Sequence, residues 1–146
     1  MRRHLKFSTA WRAQRGAVAV EFAIVATVFF MVLFGALEFA RMLWTWNAAA
    51  EAARYGARLA VVCDLNEANI KVKMRTRLAT LTNANIALSY LPGGCTATTC
   101  QTATVTLSGY VFTSLIPFIA IAPTLPAFTT TLSRESMSST SNPVCT

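Results

Sequence analysis

The sequence predicts an α+β chain: a long N-terminal helix whose first half suits a membrane, a second helix, and a small antiparallel sheet. Three observations predict it. No proline occurs between Ala17 and Val62. From Ala17 to Leu37 the only charge is Glu21, in a run of small and large apolar residues. Beyond Asn85, alternating segments rich in threonine, valine and aromatics are separated by proline and glycine, the pattern of short strands and turns. Composition agrees. Of 146 residues, 54% are hydrophobic and 13% charged, against roughly 25% charged in an average soluble domain.

The net charge of +7 could suggest a nucleic-acid partner, but its placement argues otherwise. Arg2, Arg3, Lys6, Arg12 and Arg15 precede the apolar run without an acid among them. From Ala17 onward, eight basic residues face six acidic ones. A basic segment before an apolar span holds the N-terminus in the cytoplasm and sends the C-terminus across the membrane. Lys71, Lys73, Arg75 and Arg77 are the only later cluster, and they do not make the basic face that nucleic acid requires. The expected partner is the inner membrane.

The long helix is predicted from Ala17 to Val62, about 45 residues and about 68 Å long. That is more than twice the hydrocarbon thickness of a bilayer, so its second half must leave the membrane. The chain therefore divides into a basic leader (1–16), a transmembrane part (17–43), an extramembrane continuation of the helix (44–62), and a small exported α+β domain (63–146). Charges return at Glu38. Glu38 with Arg41, and Glu51 with Arg54, are three apart and share a helix face. They read equally as a solvated face or as an intersubunit device. Ala49, Ala53, Gly56 and Ala60 form a stripe of small residues that would let another backbone approach; either the chain's own sheet or a neighbouring subunit could fill it. Trp44 and Trp46 stand where aromatic anchors of the outer interface are expected.

In the exported part, Asn66 can cap a second helix with Glu67 in its first turn. Ile70, Met74, Leu78 and Leu81 give that segment an apolar stripe, although the alternation from Ile70 to Lys73 would also suit a strand. IALSY, TATVTLSGYVF and FTTTLSRESM read as strands, with LPGGCTATTC as the turn of a hairpin. SLIPFIAIAPTLPAF is too rich in proline for a central strand. It would cover the open side of the sheet, or lie against the membrane or a partner.

Cys63, Cys95, Cys100 and Cys145 all fall on the exported side, where an even count favours disulfides. Of the three pairings possible, Cys95 with Cys100 across a short loop and Cys63 with Cys145 is favoured; free buried thiols are the alternative. Zinc is disfavoured, since no CxxC pair exists and His4 is the sole histidine. No exported histidine, phosphate loop or metal cluster is present in the sequence, so neither an enzyme nor a cofactor or metal site is expected.

RGAVAVEF, residues 15–22, joins these observations: a basic leader, a glycine, then an apolar helix with glutamate at its fifth residue. It resembles the processing site of type IV pilin precursors. More specifically, Gly16 with Glu21 and Phe22, then Glu38, Phe39 and Arg41, then Ala52, Ala53, Arg54, Gly56, Ala57 and Arg58, resemble the TadE-like pseudopilins of the tight-adherence (Tad, type IVc) pilus system. The sister TadF-like pseudopilins share the same start. The resemblance implies cleavage between Gly16 and Ala17 by a prepilin peptidase, and packing with other pilins and the pilus assembly machinery in surface adhesion. It also implies a role for Glu21. Cleavage would leave an α-amino group on Ala17, largely protonated at neutral pH, and Glu21 would meet that amine on a neighbouring subunit. Each charge would then relieve the other's burial. Otherwise Glu21 is an unpartnered carboxylate near the cytoplasmic interface, although such a group costs at least about 2.5 kcal/mol inside a membrane. A rival for the whole chain is a small secreted or anchored periplasmic binding protein, released by ordinary signal peptidase at Ala48-x-Ala50. Its apolar region is longer than the usual h-region of about 7–15 residues.

Overall fold

A computed structural model of the chain describes residues 10–65, 67–116 and 122–145. Its elements in order are α1 (Ala10–Val62), α2 (Glu67–Arg77), a 3-10 turn (Asn83–Asn85), β1 (Ile86–Leu91), β2 (Thr102–Leu107) and β3 (Phe128–Ser133). This is the α+β architecture that the sequence predicts. Two compact units are present, Met1–Ala40 and Arg41–Thr146.

The first unit is the apolar part of α1. Its helix begins at Ala10, earlier than the expected Ala17, and runs through Gly16 without a break. Ala10, Arg12, Ala13, Gln14 and Arg15 are all good helix formers, and a lone glycine costs only about 1 kcal/mol relative to alanine. The most apolar stretch has a mean hydropathy of 2.5 and none of it is buried within the protein. A helix can enter lipid because it bonds its own backbone internally. Thr27 follows the same logic, its hydroxyl donating to the Ala23 carbonyl at 2.7 Å.

The second unit contains the core. There α1 turns one face inward, burying Ala49, Ala52, Ala53, Ala57, Leu59, Ala60 and Val61. The stripe of small residues is thus occupied by the chain's own domain. At Gly56 a Cβ would fall 2.3 Å from Met74 Sδ and 2.8 Å from its Cγ, so α2 packs where α1 has no side chain. Ile70, Met74, Leu78 and Leu81 are all buried, as the apolar spacing requires. Leu78 and Leu81 lie past the end of α2, in a turn where the Leu81 N–H donates to the Leu78 carbonyl at 3.0 Å. Asn66, the expected cap, lies outside the described residues.

The sheet has the order β1-β2-β3 and is antiparallel throughout. Register places Leu88 opposite Val105, and Ala103 opposite Leu132, on the core face. The other face carries threonines that bond across strands: Thr104 with Thr131 at 2.9 Å, Thr106 with Thr129 at 3.3 Å. Two strands are shorter than their sequences suggest. β2 stops at Leu107, because Gly109 takes a left-handed φ of 66° and turns the chain away; Val111 retains only an isolated bridge to Thr124. β3 stops at Ser133, because the next residues serve α1 instead. Glu135 and Met137 N–H both donate to the Val61 carbonyl at 3.2 Å, and Ser138 N–H to Val62 at 2.9 Å. These are carbonyls that a helix C-terminus leaves unpaired.

Two disulfides close the unit, Cys63–Cys145 and Cys95–Cys100, with Cα separations of 5.5 and 4.9 Å. This is the pairing favoured from sequence. Of the apolar proline-bearing segment, Leu125 is buried and Phe128 packs on the core; residues 117–121 lie outside the described residues.

Candidate functional site: the surface of the long helix

Gly16, Ala17, Glu21 and Phe22 all lie on α1 and are exposed. Ala17 and Glu21 are four apart and therefore share a face, one turn from each other. Among the described residues no side chain approaches Gly16 or Gly35, where an added Cβ would meet nothing within 4 Å. Phe29, Phe30 and Phe34 meet along the helix, with ring centres 5.5 and 5.9 Å apart. The apolar face is therefore intact and open.

The second group of predicted residues divides between units. Glu38 is half-buried and Phe39 exposed in the first. Arg41 opens the second, its guanidinium 5.4 Å from the centre of the Phe112 ring. The third group divides by face. Ala52, Ala53, Gly56 and Ala57 point into the core, while Arg54 and Arg58 are exposed. Arg54 donates to Glu51 at 2.7 Å, but both side chains are more than 60% exposed. Such a pair is worth only about 0.3–0.5 kcal/mol. The A-A-R-x-G-A-R run is thus two devices on one helix: a notch for α2, and a basic outer face.

Sequence reasoning missed three contacts. They are Arg41 over Phe112, Arg77 over Tyr55 at 4.5 Å, and Met74 in the notch at Gly56. Gly56 was visible as the lone glycine of the helix's second half, but its partner is eighteen residues away and no local pattern names it. The predicted cysteines lie elsewhere. Beside Cys63–Cys145 is a cavity of about 180 Å³ lined by Asp64, Asn69, Lys73 and Ser139. Its polar groups hold the tail: Lys73 Nζ donates to the Val144 carbonyl at 2.6 Å, and Asn69 Nδ2 to Cys145 at 2.7 Å. Among the described residues no group of three or more His, Cys, Asp or Glu side chains could hold a metal.

One N-terminal helix, apolar and long enough to cross a bilayer, followed by a disulfide-closed α+β domain, fits a single-pass membrane protein. Residues 16–58 match the sequence profile of the family described as TadE-like protein. The match is consistent with a TadE-like pilin of the Tad system and suggests a protein associated with that pilus. It begins at Gly16 and ends within α1, so α2 and the sheet lie outside it. No curated protein and no solved structure matches the chain.

Proposed function

We propose that this chain is a minor pilin, or pseudopilin, of a Tad-type pilus, and a structural subunit, not an enzyme. A prepilin peptidase cuts it after Gly16. It waits in the inner membrane with its N-terminus cytoplasmic and its domain periplasmic, then packs with other pilins through the apolar helix in a pilus that serves adhesion. The observation that carries this reading is the TadE-like match over a helix whose most apolar stretch has no residue buried within the chain. A face of that kind needs lipid or other helices around it.

The chemistry of processing and packing follows from a few residues. The Gly16–Ala17 bond lies inside helix, whereas a peptidase acts on extended backbone. Glycine makes local unwinding easier there by about 1 kcal/mol. Cutting would free an amine on Ala17, and Glu21 would receive it from a neighbour in a medium where neither charge is stable alone. The signal-peptidase alternative has less support. A cut after Ala50 would remove Thr45 and Ala49 from the buried set, and Trp46 from its edge contact with Phe128.

Mass measurement of the mature chain from membranes tests the reading. It should begin at Ala17, and Gly16→Leu should leave it uncut. A chain beginning at Glu51, or an uncut wild type, would overturn the pilin assignment.

A further inference from the structure

Arg41, Trp44 and Thr45 of α1 line a cavity of about 200 Å³ together with Tyr110, Phe112 and Thr113 from the loop after β2. The loop is firmly built. Phe112 is buried and lies under the Arg41 guanidinium. Its N–H donates to Pro123 at 3.0 Å, Leu125 N–H donates to Tyr110 at 2.8 Å, and the Tyr110 hydroxyl bonds Thr80 at 2.8 Å. Yet the same loop leaves Val111 46% and Leu115 72% exposed, next to a helix segment on which Trp44 is 66% exposed.

Chain connectivity says what meets these side chains. Arg41 to Thr45 are the residues that directly follow the apolar stretch, so wherever that stretch enters a bilayer, they emerge at its surface. A loop packed against them is brought to the same surface. We propose that the Tyr110–Leu115 loop and Trp44 form a seat for the domain on the phospholipid leaflet from which α1 emerges. Val111 and Leu115 dip into the boundary between headgroups and acyl chains. Trp44 and Tyr110 lie at headgroup level, where amphipathic rings partition. Arg41 keeps its aliphatic stem low and its charge toward the phosphates. The seat requires only that residues 17–40 be embedded in a bilayer, and stands apart from any role in a pilus.

Full-length protein in phosphatidylcholine–phosphatidylglycerol vesicles containing a phospholipid with a photoreactive diazirine near its headgroup tests this. After illumination, peptide mapping should find lipid adducts on the 110–115 loop as well as on the apolar part of α1. The adducts on α1 establish embedding independently. Val144, 50% exposed, sits beside Cys145, which is bonded to Cys63, about 33 Å along the helix from Arg41; its peptide should stay unlabelled. Val111→Ser with Leu115→Ser should abolish loop adducts and leave those on α1. Labelled α1 with an unlabelled loop in the wild type would overturn the proposal. So would equal labelling at Val144, or cross-linking of the loop to a second copy of the chain in place of lipid.

Discussion

Gly56 shows what one residue does in this chain. An alanine there would gain up to about 1 kcal/mol of helix propensity but would drive its Cβ into Met74, and overpacking of that kind costs about 1–3 kcal/mol. Gly56→Ala should therefore lower the midpoint of thermal unfolding, and Gly56→Leu should lower it further. With Met74→Ala in place the obstacle is gone, and adding Gly56→Ala should raise the midpoint. A midpoint that falls in both backgrounds would show that Met74 does not set the limit. Glu21 is a residue of the other kind, exposed on α1. Glu21→Ala should leave processing after Gly16 intact and abolish piliation, scored by shed-filament yield at equal protein level. Glu21→Gln keeps the shape without the charge and should restore little. Normal pili in the Glu21→Ala cells would mean that Glu21 has no assembly role.

At the scale of elements, α1 carries two chemistries in one unbroken helix. Its apolar half presents all faces outward, and its second half presents alanines inward and arginines outward. The C-terminus of that helix is closed by the segment after β3, whose N–H groups reach Val61 and Val62. The Ser136 hydroxyl adds a bond to the Val62 carbonyl at 3.0 Å. Proline at Glu135 would remove one of these donors while Met137 N–H still bonds the Val61 carbonyl, so it should destabilise the domain by only about 0.5–1.5 kcal/mol. Chemical denaturation would measure it. Glu51→Ala, by contrast, removes an exposed pair and should shift stability by less than about 0.5 kcal/mol. If Arg54 serves assembly, its loss should reduce piliation without lowering stability.

The whole second unit is held together by covalent closure as well as by packing. Cys63–Cys145 spans 82 positions and Cys95–Cys100 spans five. The chain-entropy account assigns about 4–5 kcal/mol to the long loop and about 2 kcal/mol to the short one. Replacing both Cys63 and Cys145 by serine should thus cost more than the same change at Cys95 and Cys100, with the long-loop variant losing its cooperative unfolding transition first as temperature rises. Equal losses would show that geometry at each bridge, not loop length, governs their effect.

Much of this protein is determined by residues close together in sequence. Hydropathy from Ala17 to Leu37 specifies a helix for lipid, because the bilayer tests a run of some twenty residues and little else. The spacing of Ile70, Met74, Leu78 and Leu81 marks a buried stripe, and the RGAVAVEF start marks the candidate processing site, for the same reason of short range. What only tertiary structure decided depends on residues far apart. β3 ends where α1's carbonyls take its donors, β2 ends at a left-handed glycine tied to Asn85 through Ser108, and the alanine stripe goes to α2 and the core instead of to a neighbour. Each is a competition for one partner between groups distant in the chain, and local propensity has no means of weighing the contestants before the fold brings them together.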